Sequence, residues 1–237
     1  MLTKLHRTTL TEQAVQSLID YIATADLKPG EALPAEAKLA IELGVSRQVV
    51  REAIKSLEGQ GILSMINGKG AIVKPIDAGP LQTFFRHAVQ LDTNAILELI
   101  EVRQGIEVQS AILAAQRRTP EELAQLTEIV AQMGRALKEL DAYIELDASL
   151  HLHIAQTTHN AMLYHLVQSL HNSARDSIRA GLQHRRTEQE LERVQQLHEV
   201  ILQEIARGDA QGAARAMTLH FDDAVTAMVG KSATGQA

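Results

Sequence analysis

The chain has 237 residues and neither cysteine nor tryptophan. Without cysteine there are no disulfides, no thiolate metal ligands and no thiol chemistry. No apolar run approaches the roughly 18 residues of a membrane span. The first residues, MLTKLHRTTLTEQ, lack the apolar stretch of a signal peptide. A cytoplasmic protein with no membrane partner is therefore expected. Proline is scarce, with five in all and only Pro120 beyond residue 80. No Gly-rich phosphate loop appears, nor a βαβ pattern, which argues against a nucleotide-binding fold. Strong positive charge is missing too: the formal net charge is −6. That deficit is uneven. Residues 1–75 carry +1 and the remainder −7, while residues 45–74 hold five basic and two acidic side chains. With 45 % hydrophobic residues there is enough apolar material for packed cores.

What is present is organised around one stretch, LGVSRQVVREAIKSLEGQGIL, from Leu43 to Leu63. Gly44 suits the C-terminal cap of a preceding helix. Ser46 can cap the next helix by accepting an orphaned backbone N–H. Val49, Val50, Ala53, Ile54 and Leu57 recur at helical spacing and face inward, leaving Arg47, Gln48, Arg51 and Lys55 outside. Helix, tight turn and helix, with Arg and Gln early in the second, is what a helix-turn-helix needs to enter the major groove. Arg can fork onto guanine or grip phosphate, and Gln can pair with adenine. An ordinary solvated helix is the alternative reading of this stretch alone. Its flanks favour the first. An amphipathic helix is expected at residues 10–25, then a turn at Lys28-Pro29-Gly30, then a short helix opened by Leu33-Pro34-Ala35-Glu36. Downstream, Asn67-Gly68 between two β-like runs signals a hairpin, with Lys69 on this wing.

In residues 10–73, LKPGEALPAEAKLAIELGVSRQVVREAIKSLEGQGIL and the wing NGKGAIV resemble the DNA-binding domain of the GntR family of bacterial transcription regulators. The resemblance implies DNA contacts from Arg47, Gln48, Arg51 and Gly68. With the cap and the wing, the expected DNA-facing set is Ser46, Arg47, Gln48, Arg51, Gly68 and Lys69. The chain departs from the family at Ala37, where an arginine is usual, and at Gln48-Val49, where Thr-Pro or Thr-Thr is common. Those departures bear on the operator sequence.

Residues 75–80 read as a linker between a DNA-binding domain at 1–74 and a helical domain at 81–230, with a flexible tail at 231–237. Helices are expected near 80–91, 93–117, 119–138, 140–158, 160–183, 187–207 and 209–229. The fold class is thus mainly α: a winged helix-turn-helix, then an all-α bundle of about seven helices. Thr119-Pro120-Glu121-Glu122 is a clear helix start. Inside three of these helices the apolar stripe is interrupted by Asp147 and His151, by His198 and by His220. Asp147 and His151 are four apart, hence neighbours on one helical face. A buried carboxylate needs a cation or a metal. One aspartate with three histidines suits a divalent transition metal: zinc first, with nickel, manganese or iron as alternatives. The remaining histidines (His6, His87, His153, His159, His165, His171 and His184) are taken as surface or packing residues. Arg103 also interrupts an apolar stripe. Either it forms an internal salt bridge, with Asp147 or Glu107, or it grips an anionic ligand. Asn172 is a second pocket candidate, with surface exposure as its alternative.

This half resembles the effector domain of the FadR subfamily of GntR regulators, through LELIEVRQGIEVQSAILAAQ, DASLHLHIAQTTHNAMLYHL and HEVILQEIARGDAQGAARAMTLHF. The resemblance implies metal ligands at Asp147, His151, His198 and His220, and Arg103 meeting an effector carboxylate. The expectation is a homodimeric, ligand-responsive repressor-type regulator, not an enzyme. It would bind a pseudo-palindromic double-stranded operator and respond to a small carboxylic or sugar acid at the metal site. Two alternatives stay open: a metal-dependent hydrolase or lyase in the helical domain, and a DNA-binding protein with a purely structural metal.

Overall fold

The structure, a computed structural model, describes residues 9–92, 95–183 and 187–229. The chain separates into two compact units, Met1–Pro80 and Leu81–Ala237. The tail expected at 231–237 lies outside the described residues.

In the first unit, α1 (Leu10–Thr24) opens with a capping box, in which Thr9 and Glu12 each bond the other's backbone N–H. Then come α2 (Glu36–Leu43) and α3 (Arg47–Gly59). Helix α2 begins at Glu36 with Ala35 at its N-cap, so Pro34 stands just ahead of the first turn. Gly44 closes α2 at φ +65°, a left-handed conformation in which a side chain would be strained. The hairpin pairs β1 (Leu63–Ile66) with antiparallel β2 (Gly70–Val73), in register Leu63↔Val73 and Ile66↔Gly70. The wing is anchored on its other edge as well. Leu33 N–H donates to Ala71 O and Gly30 N–H to Val73 O, both at 2.8 Å, so the segment before α2 pairs with β2. Leu18, Val50, Ala53, Leu57 and Leu63 form the core that holds α3 against α1 and the hairpin.

The second unit is helical: α4 (Gly79–Leu91), α5 (Ala95–Arg117), α6 (Pro120–Arg135), α7 (Leu140–Thr157), α8 (Ala161–Gln183), α9 (Glu188–Arg207) and α10 (Ala210–Val229). Capping boxes start two of them, Thr119 with Glu122 at α6 and Thr187 with Glu190 at α9. Gly208 ends α9 in the left-handed region. Helix α5 is central and packs on α7, α8, α9 and α10. Ala111, Ala114 and Ala115 of α5 and Ala213 and Ala216 of α10 belong to the same buried cluster. Such side chains permit close helix approach. No helix among the described residues is long and apolar enough to cross a membrane.

Candidate functional sites

At the start of α3, Ser46 Oγ accepts from Val49 N–H at 3.3 Å and so caps the helix. Arg47 and Gln48 are exposed on its first turn, and Gln48 Nε2 donates to Glu52 Oε1 at 2.9 Å. Arg51 approaches Glu36 side-on, with Nη2 donating to Oε2 at 2.8 Å and Nε at 3.2 Å. This hydrogen-bonded pairing holds the Glu36 carboxyl below its ordinary range and Arg51 above its own. At the wing, Lys69 N–H donates to Ile66 O at 3.0 Å, Gly68 takes φ +80°, and the Lys69 side chain is exposed. Glu36, Ile54, Met65, Gly68 and Lys69 line one surface depression, so the wing and the start of α2 share a face. The six residues expected to face DNA are all at the surface of this unit.

The second site is buried. Helix α7 supplies Asp147 and His151 one turn apart, α9 supplies His198, and α10 supplies His220. All four are at most 8 % exposed, and one ligand atom from each lies within 4.8 Å of every other. Asp147 Oδ1 sits 3.2 Å from His151 Nε2 and 3.0 Å from His198 Nε2. Yet Asp147 Oδ1, both of those Nε2 atoms and His220 Nδ1 make no hydrogen bond among the described residues. Buried polar atoms are normally hydrogen-bonded. Four unsatisfied donors and acceptors converging on one point are what a bound cation would satisfy, and imidazole and carboxylate are transition-metal ligands. The cluster could hold a metal.

The electrostatics agree. Burial alone would raise the Asp147 pKa, but His198 and His151 hold it well below the usual carboxylate range. Burial also opposes charge on His151, yet Glu107 and Asp147 outweigh it and raise its pKa to about 9. His220 goes the other way: burial, then the neighbouring His198 and His151, push it well below the usual histidine range. The imidazoles of His151 and His220 are therefore poised in opposite directions.

Around this core runs a set of supporting contacts. Arg103 Nε donates to Glu107 Oε1 at 2.8 Å, and Arg103 Nη1 to Ser177 Oγ at 3.2 Å. The other Glu107 oxygen forms an ion pair with His151 Nδ1. Despite its burial, Arg103 and His151 hold the Glu107 carboxyl down to about 2. The Arg103 guanidinium also lies 5.2 Å from the Phe221 ring centre. On the opposite side, Tyr143 Oη contacts His198 Nδ1 at 3.3 Å and Gln195 Oε1 at 3.3 Å, and Gln195 Nε2 donates to Val130 O. A cavity of about 40 Å³ lies beside the cluster, lined by Arg103, Asp147, Ser177, His220 and Phe221 among others. One water needs on the order of 10–15 Å³ by this kind of measure, so the space holds a few small groups.

Of the two partners the sequence allows for Arg103, the structure selects Glu107. The Glu107 contact to His151 and the Tyr143–Gln195 support of His198 were not expected. They arise from packing between helices, and no spacing in the chain announces them. His153 Nδ1 contacts the Ser149 carbonyl of its own helix at 2.8 Å, away from the cluster. His6, His184 and the side chains of His171 and Asn172 lie outside the described residues.

Comparison with known proteins is consistent with this division. Residues 10–73 match the family described as bacterial regulatory proteins, gntR family, and residues 98–223 match the FCD domain. The putative L-lactate dehydrogenase operon regulatory protein of Escherichia coli (strain K12) is 28 % identical over 227 residues, covering 90 % of this chain and 83 % of that protein. The galactonate operon transcriptional repressor of Escherichia coli (strain K12) is 32 % identical over 162 residues, 66 % of this chain and 70 % of that protein. Among solved structures, Streptococcus agalactiae GntR superposes with a TM-score of 0.69 at 25 % identity, covering 90 % of this chain and 97 % of that one.

Proposed function

The chain belongs to the gntR family of bacterial regulatory proteins, FadR type, with an FCD domain, and from that premise we propose that it is a metal-dependent sensor of a small organic acid that controls transcription. It is a DNA-binding transcription regulator and not an enzyme, so a hydrolase or lyase in the helical domain is set aside. In our reading Arg47, Gln48, Arg51, Ser46, Gly68 and Lys69 form the DNA-reading surface, placed by α3 and the wing. Asp147, His151, His198 and His220 hold a divalent metal, zinc first, with nickel, manganese or iron as alternatives. Arg103 faces an acid in the adjoining cavity, with Asn172 as a further candidate.

One observation carries this reading: four buried ligand atoms converge beside a cavity that Arg103 lines. A metal held by Asp147 and His220 would border that cavity, so the anion would meet positive charge from two sides. Two relatives named for L-lactate and galactonate operons support a hydroxy or sugar acid. In our reading two copies form a homodimer, which would present two recognition helices to a pseudo-palindromic operator. Phe84 and Leu91 on α4, 63 % and 74 % exposed, leave apolar surface for a second copy. Acid binding can alter DNA affinity only if it favours one of two conformations over the other.

The test is a thermal-shift screen of hydroxy and sugar acids with and without zinc. Binding to DNA selected from a random library is then measured by fluorescence anisotropy. Metal-dependent stabilisation by one acid class, with changed DNA affinity, is the expected result. A stoichiometric metal with no acid response would reduce it to a structural ion, and no metal at all would remove the sensor.

A further inference from the structure

Glu107 touches both functional groups of the helical unit. One oxygen accepts from Arg103 Nε at 2.8 Å, one helical turn earlier on α5, and the other forms an ion pair with His151 Nδ1 on α7. Arg103, Glu107 and His151 are each at most 3 % exposed, so both contacts lie in the interior. We propose that Glu107 is a positioning residue that sets the metal ligand and the acid clamp together. The inference rests on the metal-and-acid function proposed above.

The argument is one of donors and acceptors. An ionised carboxylate only accepts, so both neighbours must present N–H. At His151 this keeps a proton on Nδ1, so that once Nε2 gives up its own proton the lone pair faces Asp147 and the cluster. A histidine that binds a metal through Nε2 needs that tautomer, and its outer partner normally fixes it. At Arg103 the carboxylate engages Nε, while Nη1 reaches Ser177 Oγ. The guanidinium is thereby fixed in orientation where it lines the cavity.

Glutamine is nearly the same size but cannot do both jobs. Its amide offers one acceptor and one donor. With oxygen toward His151, its NH2 opposes the Arg103 N–H. With oxygen toward Arg103, its NH2 opposes Nδ1–H and drives His151 to the tautomer that cannot ligate through Nε2.

The experiment titrates zinc alone into the full chain and into Glu107→Gln, using a chelator as competitor. The zinc-loaded proteins are then examined by 15N NMR of histidine and arginine. The expected result is zinc affinity weaker by about 10–100-fold in the variant. His151 is protonated at Nδ1 in the wild type and perturbed in the variant, and Arg103 Nε–H exchanges faster there. A purely structural role would leave the His151 tautomer in place. Equal affinity with His151 still protonated at Nδ1 overturns the proposal. Should Glu107→Gln fail to fold, Arg103→Gln is compared with Arg103→Gln/Glu107→Gln, which leaves no carboxylate unpaired. Weaker zinc binding in the double variant supports the proposal, and equality overturns it. A wild type without zinc affinity overturns the proposed function as well, whereas a zinc-binding wild type matched by Glu107→Gln overturns this inference alone.

Discussion

Each unit contains an arginine paired with a glutamate, and the two pairs have almost nothing else in common. Arg51 and Glu36 meet at 2.8 Å with side chains 53 % and 27 % exposed. Arg103 and Glu107 meet at the same distance with side chains 4 % and 2 % exposed. At the surface, water and salt screen the attraction and it adds little stability. In the interior, neither charge can be left without the other, since an unpaired buried ion is costly. The exposed pair can give its arginine to a polyanion at low cost. The buried pair is part of the frame itself, and an incoming acid must join it rather than replace it.

Four experiments would break or sharpen that contrast. The largest effect is expected from Asp147→Ala, which removes the only carboxylate among the four candidate ligands. Zinc affinity should fall by more than the roughly 100-fold upper range for loss of an outer-shell partner, measured by chelator competition. Unchanged affinity would place the metal elsewhere.

Arg103→Ala comes next. It leaves Glu107 with His151 as its only ionic partner and should destabilise the protein by about 3 kcal/mol, the low end for breaking a buried pair. Urea unfolding of the metal-free chain checks it. A loss below about 1 kcal/mol, the range of surface pairs, would erase the distinction between the two sites.

The third prediction concerns pH. The His151 pKa in the folded metal-free protein is about 9, above its ordinary 6.5. A raised histidine pKa adds stability that is complete below 6.5 and is lost as pH climbs through about 9. The metal-free chain should therefore lose stability across that window. Zinc displaces the same proton, so zinc affinity should rise by about tenfold per pH unit until near 9. Acid instability follows the opposite sign: Asp147, Glu107 and His220, all lowered, lose their contributions as pH falls through their folded values. Flat zinc affinity between pH 7 and 9 would show that His151 is not charged before metal binds.

The smallest effect on folding is expected from Arg51→Ala. Its unfolding midpoint should match the wild type, while the slope of log affinity for DNA against log salt falls by roughly one phosphate contact. A shifted midpoint with an unchanged slope would make this pair structural and remove Arg51 from the DNA surface.

The sequence disclosed these two regions to different depths. Around α3, local chemistry carried nearly everything. Ser46 as cap, Gly44 at a left-handed turn and Asn67-Gly68 at a hairpin each depend on neighbours a few residues away. The pairing of Gly30 and Leu33 with β2 is not legible in the chain, because an edge contact leaves no periodic trace. In the helical unit, Thr119-Pro120 announced a helix for the same local reason. The four candidate ligands were legible as polar interruptions of apolar stripes, although only Asp147 and His151 are close in the chain. Glu107 could be named as a partner for Arg103 because the two are one turn apart. Its second contact could not, because α7 brings His151 from 44 residues further along. The contact of the Tyr143 hydroxyl with His198 could not be read either, because 55 residues of chain separate the two.

The alanine seam between α5 and α10 bears on how this site can move. Long side chains can change rotamer and absorb a small displacement. Ala111, Ala114, Ala115, Ala213 and Ala216 have no such freedom. Packed interiors have low compressibility. A shift of His220 therefore finds no rotamer slack in these alanines, and α10 is left to carry it as a body.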